Sequence, residues 1–170
     1  MSFDTRKGTR GTRQPNGRFF RWVNSLMTRR LRRSPEGRMM GFNALILHTV
    51  GRRSGQERVN PVGWWPGPDG SWIICASANA AADNPAWYYN LAAHPDKVTI
   101  EVNGQTIPVT AEQLHGPERE QAWQQITGSA PRFTQYQEKT DRELPVIRLT
   151  RHVTAGESSR PLADGDPTRP

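Results

Sequence analysis

The sequence predicts a mainly β domain with helices (α+β), shaped as a small antiparallel barrel behind an N-terminal amphipathic helix. Three observations carry that reading. Five or six short apolar runs are each bounded by Gly, Pro, Asn, Asp or Ser, as strands are. Most joins between them are too short for the dozen or more residues of a parallel crossover. Asn103-Gly104, set between Val98–Val102 and Gln105–Ala111, is the strongest two-residue hairpin signal in the chain.

Taken in order, residues 1–16 are polar, basic and Gly/Thr-rich, and are expected to form a disordered arm. Residues 17–33 change character. Phe19, Phe20, Trp22, Val23, Leu26, Met27 and Leu31 fall within one half of a helical wheel, with Arg18, Arg21, Arg29 and Arg32 on the other. Arg30 and Arg33 intrude on the apolar side, and Ser34-Pro35-Glu36-Gly37 ends the helix. Strands are expected at Ala44–Val50, Arg58–Trp65 and Ser71–Ser77, with Gly67-Pro68-Asp69-Gly70 turning between the last two. Asp83-Asn84-Pro85 reads as a helix start, a capping side chain followed by proline, for a helix over Ala86–Ala93. After the hairpin come a helix near Glu118–Thr127, a helical or looped piece over Pro131–Thr140 and a strand at Val146–Thr150. The barrel domain is thus expected over 40–151. Residues 152–170, rich in Gly, Pro, Ser and Asp, are expected to be a disordered tail.

Composition narrows the classes. At 170 residues the chain suits one domain with a real core. The single cysteine, Cys75, excludes an internal disulfide and sits in an apolar run, as a structural thiol does. No apolar stretch approaches the roughly 20 residues needed to span a bilayer, and the N-terminus lacks the apolar core of a secretory signal. A cytoplasmic location is expected. The net charge of +7 is uneven: residues 1–60 hold 14 Lys/Arg against 3 Asp/Glu, and the rest is net acidic. The basicity therefore needs a local explanation.

The run from Thr49 to Pro61 offers one. It joins two strands through a turn holding Gly51, Arg52, Arg53, Ser54 and Gly55, and Arg58 opens the next strand. Guanidinium forks match phosphate or carboxylate oxygens, and glycine lets backbone approach a ligand. The run reads either as an anion clamp or as an exposed loop whose arginines keep it soluble. It is not a P-loop, because no Gly-Lys-Ser/Thr closes it and a strand follows. Ordinary catalytic machinery is missing. His48, His94, His115 and His152 are dispersed, none in a metal-ligand spacing, and no Gly-x-Ser-x-Gly elbow occurs. An enzyme of this kind would rely on a bound cofactor for its chemistry. Trp87, Tyr88 and Tyr89 at a helix start could wall a planar ligand or pack the core. The segment over 17–33 could lie on an anionic membrane, pack on the barrel or bind nucleic acid. Its aromatics and arginines segregate onto opposite faces, which argues against nucleic acid.

Three blocks together resemble a known family. The first is Thr49-x-Gly51-Arg52-Arg53-Ser54-Gly55-Gln56-x-Arg58-Val59-x-Pro61. The second is Asn84-Pro85-x-Trp87-Tyr88-x-Asn90-Leu91-x-Ala93-x-Pro95, and the third Tyr136-Gln137-x-Lys139-Thr140-x-Arg142-x-x-Pro145-Val146. In this order and spacing they resemble the deazaflavin-dependent nitroreductase family, also described as coenzyme F-420-dependent quinone reductases. The likeness runs from about Ala44 to Thr150.

The resemblance implies a split β-barrel, FMN-binding-like, that takes reduced coenzyme F-420, with FMN the alternative cofactor. Arg52, Arg53, Ser54, Gly55 and Arg58 would hold the phosphate and oligoglutamate tail. Asn60, Pro61 and Val62 would lie beside the cofactor, Ser77, Ala78, Asn79 and Ala80 would meet the deazaflavin ring, and Trp87 would wall its pocket. A hydride would pass to a quinone or other electron-poor acceptor, with Tyr136 the candidate proton donor. The resemblance also implies peripheral membrane contact through 17–33 at the inner face of the cell membrane. An F-420-binding protein without turnover is the non-enzymatic alternative, and oligomeric state has no sequence signal. Two departures stand out. The loop after Ser77 commonly reads Lys-Gly-Gly-Ala in the family, against Ala78-Asn79-Ala80-Ala81 here. Tyrosines that line the acceptor pocket in nitroreductase members correspond to Ala130, Phe133 and Tyr136.

Overall fold

A computed structural model describes residues 2–14 and 17–152. Its helices are α1 (Arg18–Arg33), α2 (Ala86–Ala93), α3 (Gly116–Ser129) and α4 (Arg132–Lys139). Its strands are β1 (Arg38–Met39), β2 (Phe42–Val50), β3 (Glu57–Gly63), β4 (Trp65–Pro66), β5 (Trp72–Cys75), β6 (Val98–Val102), β7 (Gln105–Gln113) and β8 (Val146–Arg151). The strands form one antiparallel sheet in the order β1-β2-β6-β7-β8-β5-β4, with β3 added to β2. The sheet curls into a half-barrel.

Period-2 patterning places the core. On β6 and β7, Val98, Ile100, Val102, Ile107, Val109 and Ala111 point inward, while Thr106, Pro108, Thr110 and Glu112 face water. Asn103 and Gly104 both have positive φ, as a type I′ hairpin turn requires. On β2, four successive residues are buried because both faces are covered. Leu45 and Leu47 enter the barrel core with Ile100 and Leu91. Ala44 and Ile46 lie on the other face under Leu31 of α1. Truncating a fully buried residue such as Leu47 to Ala would cost about 2–5 kcal/mol.

Helix α1 packs along β3, where Asn24 Nδ2 donates to the Val59 carbonyl (3.3 Å). Its last turn is tied to the sheet. Arg32 donates twice to Glu101 (2.6 and 2.9 Å), and His48 lies between Glu101 and Glu57 at 2.7 Å from each. At the other end of the barrel, Trp65 meets Phe133 edge-on (5.3 Å) and donates to Ser129 Oγ (2.7 Å), which fixes α3 and α4 there. The piece over 131–140, left open between helix and loop, is helical as α4.

Two expectations change. The arm over 1–16 is not disordered where it is described: residues 2–14 follow the surface through backbone hydrogen bonds to residues 80–82 and to Asp141. Their stabilisation comes from partners far along the chain, which no local pattern reveals. The helix start at Asp83-Asn84-Pro85 also works differently. Pro85 occupies the N-cap and no side chain caps the helix. Asp83 accepts instead from Tyr89 Oη (2.5 Å), and Asn84 donates to the Thr5 carbonyl (3.0 Å). The expected tail lies outside the described residues apart from His152.

Candidate active site

A cavity of about 570 Å³ opens between β3, the loop after β5, the start of α2, α4 and the inner face of α1. That volume suits a small-molecule ligand. Asn60, Pro61 and Val62 line it from β3; Ser77, Ala78 and Asn79 from the loop; Trp87 from α2; Phe133 and Tyr136 from α4; Phe20, Asn24 and Met27 from α1. Trp87 and Phe133 belong to that lining and are also buried, so cavity wall and core coincide. Most of the wall is apolar; Arg21 and Arg132 bring the only cations among the described lining residues.

The arginine turn lies on the same strand pair. Leaving β2, Thr49 and Arg52 are pinned to α2 by one side chain: Asn90 donates to Thr49 Oγ1 (3.0 Å) and accepts from the Arg52 amide (3.1 Å). The turn closes through Gly51 N to Gln56 O (2.7 Å) and Gly55 N to Gly51 O (2.8 Å). Gly55 sits at φ +66, where a side chain is strained, and a Cβ on Gly51 would strike Ser54 Oγ at 2.6 Å. Arg52 stacks over the Tyr89 ring at 4.6 Å, and Arg58 reaches Ser54 Oγ at 3.5 Å. Arg52, Arg53, Ser54, Gly55 and Arg58 are all exposed.

Opposite lies the loop Ala76–Asn84. Ala78, Asn79 and Ala80 take φ of +47, +52 and +67 in succession, a left-handed run that non-glycine residues avoid. The buried Arg142 holds this loop. Its guanidinium donates to the carbonyls of Ala76 (3.1 Å), Ser77 (2.8 Å) and Ala81 (2.9 Å) and to Asn84 Oδ1 (2.9 Å). Burial draws the Arg142 pKa down from its ordinary value, but guanidinium remains the charged donor at neutral pH. Burial likewise pushes the Cys75 thiol, which borders the cavity, up to about 12, with Arg142 opposing. That shift disfavours the thiolate, the reactive form.

Tyr136 packs edge-on against Phe133 (5.4 Å) while lining the cavity, so its ring is set by a buried neighbour. Desolvation raises the pKa of Tyr89, and its bond to Asp83 adds to that.

Of the residues that the sequence marked, Asn60, Pro61, Val62, Ser77, Ala78, Asn79, Trp87 and Tyr136 share the cavity. Arg52, Arg53, Ser54, Gly55 and Arg58 form a second group, beyond the cavity lining at the far end of β3. Ala80 does not meet the cavity: it is fully buried, and its carbonyl accepts from the Thr12 amide. A left-handed backbone turns it inward. Sequence reasoning missed Asn90 and Arg142 as organisers, although both stand inside the quoted blocks. An Arg followed within three residues by Pro145 and a strand gave no sign of being buried.

Among the described residues no three His, Cys, Asp or Glu are placed to hold a metal ion. No described helix is long and apolar enough to cross a membrane. Residues 21–151 match the F420H(2)-dependent quinone reductase family. An F420H(2)-dependent quinone reductase of Mycobacterium tuberculosis is 38% identical over 111 residues, which is 64% of this chain and 73% of that protein. A solved F420-H2 dependent reductase (FDR-A) is 32% identical, with a TM-score of 0.56 over 62% of this chain and 92% of that one. Another solved chain, described as a domain-swapped dimer, is 29% identical with a TM-score of 0.58 over 76% and 98%.

Proposed function

The chain belongs to the F420H(2)-dependent quinone reductase family, and on that premise we propose that its cavity and arginine turn form one extended cofactor site. The protein is an oxidoreductase: reduced coenzyme F-420 supplies a hydride, and a quinone or similar electron-poor acceptor receives it. One observation carries the assignment of residues. Strand β3 runs from the exposed guanidinium of Arg58 to the cavity wall at Asn60–Val62. From Arg58 to Val62 is four residues, roughly 14 Å of extended strand. A planar head in the cavity and an anionic tail at the turn fit that layout.

In this reading Arg52, Arg53 and Arg58, with Ser54 and the turn amides, grip the phosphate and tail. Asn60, Pro61, Val62 and Trp87 orient the ring, and Ser77, Ala78 and Asn79 bring backbone against it. The apolar wall excludes water. Tyr136 offers its hydroxyl to the acceptor oxygen that takes up a proton as the hydride arrives. Phe133 has no hydroxyl to offer, so nitro compounds are expected to turn over poorly beside quinones.

Titrating reduced coenzyme F-420 while following its fluorescence tests this. Micromolar binding is expected, weakened at least tenfold in the double variant Arg53→Ala/Arg58→Ala. No binding at micromolar cofactor would overturn the reading, and protein purified yellow with a flavin spectrum would favour FMN. Failure to oxidise the bound cofactor with any quinone or enone would leave only a binding protein.

A second reading concerns α1. Phe19 is 75% and Trp22 61% exposed, stacked at 6.0 Å, with Phe20 and Leu26 beside them. The arginines of the same helix (Arg18, Arg21, Arg29, Arg30, Arg32 and Arg33) are exposed as well. This pattern suits peripheral contact with an anionic lipid surface, next to the cavity that Phe20 and Met27 line. Co-sedimentation with phosphatidylglycerol vesicles, lost in Phe19→Ser/Trp22→Ser, is the expected outcome.

A further inference from the structure

Each of the nine carbonyls from Ala76 to Asn84 accepts a hydrogen bond, and the donors from outside the loop come from two places. Arg142 supplies Ala76, Ser77 and Ala81, and the Ala81 amide turns back to Ala78. The N-terminal arm supplies the rest. Thr12 Oγ1 donates to Asn79 (2.7 Å) and the Thr12 amide to Ala80 (2.9 Å). The Gly8 amide donates to Ala82 (2.8 Å), and Gln14 Nε2 to Asp83 and Asn84 (3.0 Å each). Thr12 and Ala81 form a parallel β-bridge.

The fit is close enough to demand glycine. A Cβ on Gly11 would come within 2.7 Å of Ala80 O, Ala81 C and Ala82 N, all backbone atoms of the loop. The arm is moored again on the N-terminal side of this contact. Asp141 accepts from the amides of Thr9 and Arg10 (2.9 Å each) and from Thr9 Oγ1 (2.6 Å), and Thr140 Oγ1 donates to the Arg10 carbonyl (2.9 Å). Near the start, the Thr5 amide donates to Tyr88 Oη (3.0 Å) and Phe3 packs edge-on against the Tyr88 ring. A run of three left-handed non-glycine residues is sterically unfavourable, and it persists only when neighbours over-determine it. Here the neighbours are Arg142 and the arm.

We propose that residues 2–14 are a strap that positions the cavity-lining loop Ser77–Asn79 for cofactor binding, with Gly11 and Thr12 as its positioning residues. The strap thereby sets affinity for the deazaflavin rather than for the acceptor. This rests on the reading that Ser77–Asn79 meets the ring, and the experiment separates the two.

Reduced coenzyme F-420 is titrated, by its fluorescence, into the full chain and three variants: Gly11→Ala, Thr12→Val and Thr110→Ala. Circular dichroism selects a temperature at which all are folded. Acceptor KM is then measured at saturating cofactor. Gly11→Ala is expected to raise the cofactor Kd at least tenfold. Thr12→Val, which keeps its shape and loses one hydrogen bond, is expected to raise it about three- to tenfold. Thr110→Ala, on the water-facing side of β7, leaves it unchanged, and the acceptor KM stays within about twofold throughout. Hydrogen exchange at the amides of residues 79–82 should quicken in the first two variants only. Should Gly11→Ala fail to fold, Thr12→Val and its exchange rates decide alone. If the unaltered chain does not bind the cofactor, the cofactor reading fails. If it binds, but Gly11→Ala and Thr12→Val bind as tightly or shift only the acceptor KM, the strap is overturned.

Discussion

The turn Gly51–Arg58 and the loop Ala76–Asn84 meet the same backbone demand by opposite means. Both contain residues in the left-handed region. In the turn glycine takes that conformation at little cost, and the arginines around it stay exposed. In the loop alanine and asparagine take it, and a buried guanidinium plus an arm from residues 2–14 hold them there. In the proposed site, one end would adapt to a flexible charged tail, while the other presents backbone that is already fixed. Affinity at the turn should follow ionic strength, whereas position at the loop should follow packing.

Removing the brace is the most severe way to break this contrast. Arg142→Ala strips donors from three loop carbonyls, two of them buried, and from Asn84, and is expected to cost about 3 kcal/mol or more. For a domain of this size that lowers Tm by roughly 6–12 °C. Arg142→Lys, with one point donor in place of a fork, should fall between. Denaturant unfolding checks both, and an unchanged midpoint would mean that the loop stands unaided.

The turn should behave in reverse. Arg53→Ala/Arg58→Ala removes exposed charges and should leave Tm within about 1 °C, because exposed ion contacts contribute little to stability. Its loss of cofactor affinity should shrink as salt rises, since screening weakens the wild-type grip and not that of the variant. A salt-independent loss would place the arginines in a packed contact instead of a solvated one.

How much of this was legible beforehand divides along the same line. The hairpin at Asn103-Gly104, the turn, Trp87 and β3 were readable because local residue chemistry dictates them. The brace was not. Residues 2–14 carry no apolar periodicity; they are held by backbone bonds to loop residues about 70 positions away, and such bonds leave no composition signal. Asn90 and Arg142 were quoted within motifs, yet their work is to satisfy amides and carbonyls of distant segments. The covered outer face of β2 was visible only as an apolar run, and only α1 lying on it explains why Ala44 and Ile46 are buried together with Leu45 and Leu47.

Exchanging the two solutions sharpens the comparison at smaller scale. Ala78→Gly gives the loop the means used by the turn. It should stabilise the protein by up to about 1 kcal/mol and restore part of the affinity lost in Thr12→Val. Gly55→Ala forces a side chain into the turn at φ +66 and should destabilise by about 1 kcal/mol. Thermal unfolding of the two single variants reads opposite signs if the contrast is right, and equal signs if the loop is not strained.

The smallest effect concerns how the arm is moored, and its sign follows from Asp141. Three donors, Thr9 Oγ1 first and then the amides of Arg10 and Thr9, hold this carboxylate well below the ordinary range. A carboxyl group whose folded pKa is depressed stabilises the docked arm above its undocked value, near 3.9. That contribution is lost only as pH falls through the lower, folded value. Between pH 7 and 5 the arm should therefore stay fully docked. The amide shifts of Thr9 and Arg10, followed by NMR, should begin to move only below pH 4. Asp141 is exposed, so salt should weaken the effect further. Asp141→Asn should remove this pH dependence and loosen the arm at every pH, whereas a titration centred near 4 in the unaltered chain would mean that Asp141 holds nothing. In that case the loop would depend on Arg142 alone, and the two ends of the site would differ less than their geometry implies.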